Sequence, residues 1–122
     1  EKPEKYQEHI AQAGANVSGG QKQRLAIARA LIKKAPIYLF DDSFSALDYK
    51  TDMALRQQLK ERTASSTVII VGQRIATIMN ADQILVLDEG RIVGLGKHKE
   101  LIANCKTYQE IAYSQLTKEE LA

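Results

Sequence analysis

Val17-Ser-Gly-Gly-Gln-Lys-Gln-Arg-Leu-Ala-Ile-Ala-Arg-Ala-Leu-Ile-Lys-Lys34, followed after Ala35-Pro36 by Ile37-Tyr-Leu-Phe-Asp-Asp42, is the stretch from which the fold can be read. Ser18 is a favourable N-cap, and Gln21 three residues later completes an S-x-x-Q capping box, so a helix is expected to start here. Gly19 and Gly20 leave its first turn without side chains, so their N–H groups can approach a ligand closely. The aligned peptide dipoles place roughly +0.5 of an elementary charge at such an end, which attracts phosphate. A capping box alone is common and marks no ligand; the sequence that follows it decides. Lys22 to Lys34 reads as a basic amphipathic helix with Leu25, Ala28, Leu31 and Ile32 on one face. Pro36 ends it, and Ile37 to Phe40 is expected to be a short buried strand that delivers Asp41 and Asp42 at its carboxyl end. In open α/β sheets that end is where ligands bind.

The rest of the chain continues the alternation of helix and strand. Tyr49 to Arg62 has the composition of an exposed amphipathic helix, with Met53, Leu55 and Leu59 among its apolar residues. After the connector Thr63-Ala-Ser-Ser66, the β-branched run Thr67 to Val71 reads as a fully buried strand, parallel to the Ile37 strand because a helix joins them. Ile75 to Asn80 is expected to form a short helix or turn. Gln83 to Leu87 and Arg91 to Leu95 flank Asp88-Glu-Gly90, a hairpin signal. Lys97 to Leu116 closes the pattern with one or two helices whose apolar faces include Leu101, Ile102, Tyr108, Ile111 and Ala112.

Bulk properties exclude more than they assign. The 122 residues, 44% hydrophobic and 26% charged, suit one ordinary globular unit. A net charge of +2, with basic residues spread along helices, gives no nucleic-acid footprint. No apolar run approaches the ~18 residues of a membrane span, and nothing resembles a signal peptide. The single cysteine, Cys105, cannot form an internal disulfide, which fits a reducing compartment. His9 and His98 stand apart without ligand-like spacing and are read as surface residues.

Ser18-Gly-Gly-Gln21 with its helix, Ile37-Tyr-Leu-Phe-Asp-Asp42 and Ser45-Ala-Leu-Asp48 resemble, in order and spacing, the signature loop, Walker B strand and D-loop of ABC transporter nucleotide-binding domains. Thr67-Val-Ile-Ile-Val-Gly-Gln-Arg74 is similar to the family's switch-loop strand, and Ala81 to His98 to the closing segment of exporter-type domains. The resemblance implies an α/β fold: the C-terminal part of a RecA-like P-loop NTPase domain, with parallel strands, flanking helices, a β-hairpin and C-terminal helices. Residues 1–35 would end the helical subdomain and carry the signature loop; residues 36–122 would be the C-terminal part of the ATPase core. No G-x-x-x-x-G-K-[ST] occurs, so the phosphate-cradling loop is expected upstream, and Glu1-Lys-Pro-Glu-Lys5 reads as the interior of a longer polypeptide.

The same resemblance implies roles for single residues. Asp41 would hold Mg²⁺, through water, beside ATP. Asp42 stands where hydrolytically competent members have Glu, and it is shorter by about one C–C bond (~1.5 Å), a displacement that catalytic geometry tolerates poorly. Gln73 stands at the switch position that normally carries histidine; it can hydrogen-bond a γ-phosphate but cannot take a proton near neutral pH. In Ile10-Ala-Gln-Ala-Gly14 the family's usual acidic residue is replaced by Gln12. Ser18, Gly19, Gly20 and Gln21, with Ser45, Ala46, Leu47 and Asp48 of the D-loop, would face ATP bound to a partner subunit. This pattern resembles the degenerate subunit of a heterodimeric bacterial exporter.

The expected partners are therefore a second ABC subunit and a membrane-spanning domain of the same transporter, with no nucleic acid. The parent would work at the cytoplasmic face of the cell membrane. The isolated fragment is expected to be soluble, to bind ATP weakly, and to self-associate through open strand edges. The alternative is a soluble ABC ATPase acting on nucleic acid or ribosomes; the ending Leu87-Asp-Glu-Gly-Arg-Ile-Val-Gly-Leu-Gly-Lys-His-Lys-Glu-Leu101 favours an exporter.

Overall fold

A computed structural model describes residues 18–117 of the chain. His9 and the Ile10–Gly14 stretch with Gln12 lie outside the described residues. The order of elements is α1 (Gly19–Ile32), β1 (Ile37–Asp41), α2 (Tyr49–Arg62), β2 (Thr67–Val71), α3 (Ile75–Ile78), β3 (Ile84–Asp88), β4 (Arg91–Gly96), α4 (His98–Asn104) and α5 (Lys106–Gln115). The expected alternation is present: β1 and β2 form a two-stranded parallel sheet, and β3 and β4 an antiparallel hairpin. The chain divides into two compact units between Ile69 and Ile70.

In the first unit the core is aromatic. Tyr38 and Phe40, both buried, project from the same face of β1 and stack with ring centroids 6.2 Å apart. Phe40 also meets Phe44 at 5.8 Å with tilted planes, a preferred arrangement for ring quadrupoles. The Tyr38 hydroxyl donates to the Lys33 carbonyl at 3.1 Å and accepts from the Ala35 N–H at 3.3 Å, tying the end of α1 to the strand. Ile27, Leu47 and Leu59 complete the buried apolar set of this unit.

Three expectations about burial need correcting here. β1 is not buried on both faces: Ile37 and Leu39 are 59% and 64% exposed, alternating with buried Tyr38 and Phe40. β2 is a strand but is not buried, since Val68, Ile69 and Val71 are 37–50% exposed. A two-stranded sheet can cover only what lies on its packed side, so a continuous apolar run can form a strand without reaching a core. On α1 the inward stripe is Gly20, Gln23, Ile27, Ala30 and Leu31, whereas Leu25, Ala28 and Ile32 are exposed. The expected face was displaced because a polar residue, Gln23, occupies the buried stripe and hydropathy does not register it.

α2 likewise packs through a stripe that includes a charge. Asp52, only 1% exposed, pairs with Arg56 one turn later at 2.7 Å, and Leu59 and Thr63 continue the stripe. Asp48 caps this helix, accepting from the Thr51 N–H and Thr51 Oγ1, each at 2.8 Å.

The second unit is built on the hairpin. Glu89 and Gly90 both have positive φ, 48° and 75°, the type I′ geometry that matches strand twist, so the Glu-Gly dipeptide turns the chain as expected. Val86 lies opposite Gly94 but Leu87 opposite Ile92, so Val93 is a one-residue bulge. Ile84 and Val86 face a cluster of Ile75, Leu101, Cys105, Tyr108 and Ala112. Gly94 allows this packing, since a Cβ there would sit 2.8 Å from Cys105 Sγ and 3.1 Å from Leu101 Cδ2. His98, expected on the surface, is buried instead: its ring meets Tyr108 edge-on, and Nδ1 is hydrogen-bonded to the Tyr108 hydroxyl at 2.6 Å. A lone histidine in sequence gives no sign of this, because the partner comes from the next helix.

Candidate nucleotide-facing site

α1 begins as its sequence requires. The Ser18 hydroxyl accepts from the Gln21 N–H at 3.1 Å, and Gln21 Oε1 accepts from the Ser18 N–H at 2.8 Å, so the capping box is complete. The box leaves the N–H groups of Gly19 and Gly20 in a first turn that offers no intrahelical acceptor. Gly19 is exposed and Gly20 half-buried, so the donor of Gly19 is the more open to a ligand.

The loop after β1 packs directly against this helix start. A Cβ on Gly20 would lie 3.1 Å from the Ala46 carbonyl oxygen, and one on Gly19 would lie 3.5 Å from Ala46 Cβ. Gly20 therefore permits a close backbone approach inward, while exposed Gly19 leaves the outer side of the first turn bare. Ser18, Gly19, Gly20 and Arg24 from α1 line one depression of about 390 Å3 with Ala46, Leu47, Asp48 and Thr51. Two segments 22 or more residues apart in sequence thus form one surface: the helix start and Arg24 on one side, the cap of α2 on the other.

Asp48 is held as an anion on that surface. The Thr51 N–H, then the Thr51 hydroxyl, hold its carboxyl below the usual carboxylate range. Asp41, the last residue of β1, is exposed, and its carbonyl accepts from Ser43 Oγ at 3.4 Å. Asp42 follows with φ of 51°, a left-handed conformation that is uncommon for a residue with a Cβ. Its carbonyl accepts from Ser45 Oγ at 3.3 Å and from Gln23 Nε2 at 2.9 Å.

Gln23 and Gln115 were not singled out by the sequence. Gln23 Nε2 also reaches Ser45 Oγ at 2.9 Å, and its Oε1 accepts from the Ala46 N–H at 2.8 Å. Its one legible signal was position: it shares the inward stripe with Ile27. Gln73 belongs to the second unit, where the last residue of α5 holds its main chain. Gln115 Nε2 donates to the Gln73 carbonyl at 2.7 Å, and Gln115 Oε1 accepts from the Ile75 N–H at 2.8 Å.

The arrangement suits a nucleotide's phosphates on two counts, the exposed helix start at Gly19 and the cationic Arg24 that lines the same depression. A metal is another matter: among the described residues no group of three or more His, Cys, Asp or Glu could hold one. Asp41 fits Mg²⁺ only as a single exposed carboxylate of the kind that shares the ion with substrate phosphates and water. No helix among the described residues is long and apolar enough to cross a membrane.

The sequence model of the ABC transporter family matches residues 2–45. The chain is 52% identical over 109 residues to an uncharacterized ABC transporter ATP-binding protein of Mycobacterium bovis, covering 89% of this chain and 19% of that protein. It is 44% identical over 108 residues to the ATP-dependent lipid A-core flippase of Francisella tularensis, covering 88% of this chain and 18% of the flippase. A solved bacterial Atm1-family ABC exporter with ATP bound superposes with a TM-score of 0.89 at 38% identity, over 96% of this chain and 21% of the exporter. The chain belongs to the ABC transporter family, as a piece of its ATP-binding domain. It spans about a fifth of the length of the relatives it matches.

Proposed function

We propose that this chain is part of the ATP-binding and ATP-hydrolysing domain that powers an ABC exporter, and that it lends its best-preserved surface to nucleotide held by a partner subunit. Residues 1–35 would end the helical subdomain and residues 36–122 the C-terminal part of the ATPase core. The carrying observation is the single depression shared by Ser18, Gly19, Gly20 and the D-loop residues Ala46, Leu47 and Asp48. With its donors outward, this surface would complete a site whose phosphate cradle is supplied by another segment.

In this reading Asp41 and Asp42 belong to the chain's own, weakened nucleotide site, and Gln73 is a second departure from the hydrolytic pattern. Asp41 would hold Mg²⁺ with the phosphates, and the ion would neutralise phosphate charge. Asp42 would be too short to place the attacking water well, and Gln73 could hydrogen-bond a γ-phosphate without exchanging a proton. The partners would be a second, catalytically complete ABC subunit and the membrane-spanning domain of the same transporter, with the ATP-binding domain at the cytoplasmic face of the membrane.

The test is steady-state ATPase activity of the assembled full-length pair. Ser18→Arg places a long cation where the depression must receive phosphate and should abolish most turnover, while Asp42→Asn should change it little. Robust hydrolysis by the full-length protein without a partner subunit, or a Ser18→Arg pair as active as the wild type, would overturn the proposal.

A further inference from the structure

We propose that Gln23 is a positioning residue that binds the two ATP-facing segments of this chain into one mechanical unit. Its side-chain amide is used from both ends. Nε2 donates to the Asp42 carbonyl and Ser45 Oγ, each at 2.9 Å, and Oε1 accepts from the Ala46 N–H at 2.8 Å. The residue lies one turn beyond Gly19 and Gly20 on the inward stripe of α1, so these three bonds hang the Asp42–Ala46 turn from the signature helix.

The turn needs such a clamp. Asp42 is held left-handed at φ 51°, a conformation that costs an L-residue free energy and persists only where neighbours over-determine it. Groups that hold its carbonyl are Ser45, from within the same turn, and Gln23, from a separate element. Beside the packing of Phe44 on Phe40, Gln23 is a polar link from outside the turn that helps fix the direction in which the chain leaves Asp41 and Asp42 and enters the D-loop. No other neutral side chain of this reach supplies a two-proton donor and an acceptor on one planar group.

The consequence rests on the assignment of Ser18–Gln21 and Ser45–Asp48 to the partner's nucleotide and of Asp41–Asp42 to this chain's own. One glutamine then touches both sets: displacing the Asp42 main chain on one nucleotide must pull on Ser45 and Ala46, which face the other. Gln23 would transmit position between the two sites through a pair of rigid elements and a single planar amide.

Two variants of the full-length protein in its assembled pair separate the bonds. Gln23→Glu keeps the acceptor for the Ala46 N–H but loses the Nε2 donor to Asp42 and Ser45; Gln23→Leu loses both. In nucleotide-free protein, hydrogen exchange at the Ala46 amide should be about tenfold faster in Gln23→Leu and unchanged in Gln23→Glu, the scale expected for loss of one net hydrogen bond. Turnover should fall about tenfold in both, with the KM for ATP within about twofold and the melting temperature of Gln23→Glu unchanged, a split that simple loss of fold would not produce. Wild-type kcat in Gln23→Glu, or wild-type exchange at Ala46 in Gln23→Leu, would overturn the inference. If Ser18→Arg leaves turnover intact while the exchange pattern is as expected, the partner-site assignment fails and the clamp stands.

Discussion

Gln115 donates to the main-chain carbonyl of Gln73, 42 residues earlier, at 2.7 Å, and so the last residue of α5 holds the chain at Gln73 in place. The same amide accepts from the Ile75 N–H, the first donor of α3, which has no side-chain cap of its own. Gln115→Leu should therefore free the Gln73–Ile75 segment and destabilise the second unit by about 1–2 kcal/mol, the net value of one or two such bonds. Gln115→Glu, which keeps the acceptor, should lose about half of that. Urea unfolding followed by a probe in the second unit checks both; equal stability of Gln115→Leu and wild type would refute the assignment.

Gly94→Ala should be destabilising despite the modest size of the change. Its Cβ would meet Cys105 Sγ at 2.8 Å, Leu101 Cδ2 at 3.1 Å and Val86 Cγ2 at 3.3 Å, all in the packed cluster of the hairpin and helices. Overpacking of this kind costs about 1–3 kcal/mol. Cys105→Ala should recover part of it, because it removes the nearest atom; a double-mutant cycle measured by urea unfolding reads the coupling directly.

Asp48 should titrate below an ordinary aspartate, and Thr51 is the cause. Because the folded-state value lies below the unfolded one, the cap contributes its stabilisation above the unfolded value of 3.8 and loses it as pH falls through the folded value. Thr51→Val removes the hydroxyl donor and leaves the N–H, so the Asp48 carboxyl should move partway back toward 3.8. NMR titration of the side-chain carboxyl carbon in wild type and variant measures the shift, and an unmoved value would refute the attribution to the Thr51 hydroxyl.

Tyr108→Phe should cost about 1–3 kcal/mol, because it removes the hydroxyl bonded to buried His98 while leaving the ring packing intact. Burial also raises the Tyr108 phenol above its usual value of 10.0. The stabilisation from keeping it neutral is present below pH 10.0 and is lost as pH rises through the folded value. Ultraviolet titration should show a late-ionising tyrosine component, and that component should vanish in Tyr108→Phe.

What could be read from the sequence followed from short-range chemistry. Ser18 and Gln21 place the start of α1, Pro36 separates it from β1, and Glu89-Gly90 sets the hairpin turn, because a cap, a missing N–H and two positive φ angles are properties of a few adjacent residues. Family membership was legible for the same reason, as motifs in fixed order. Only the tertiary structure decided which side of each element turns inward. Ile37, Leu39, Val68 and Ile69 are as apolar as Tyr38 and Phe40 yet remain exposed, because burial depends on what packs against a strand. It also decided that polar residues occupy inward positions: Gln23 beneath Asp42 and Ala46, Asp52 beside Arg56, and His98 against Tyr108. Hydropathy marks such residues as surface. Their inward placement is stable because distant or one-turn neighbours supply matching hydrogen bonds, a condition that exists once the chain has folded.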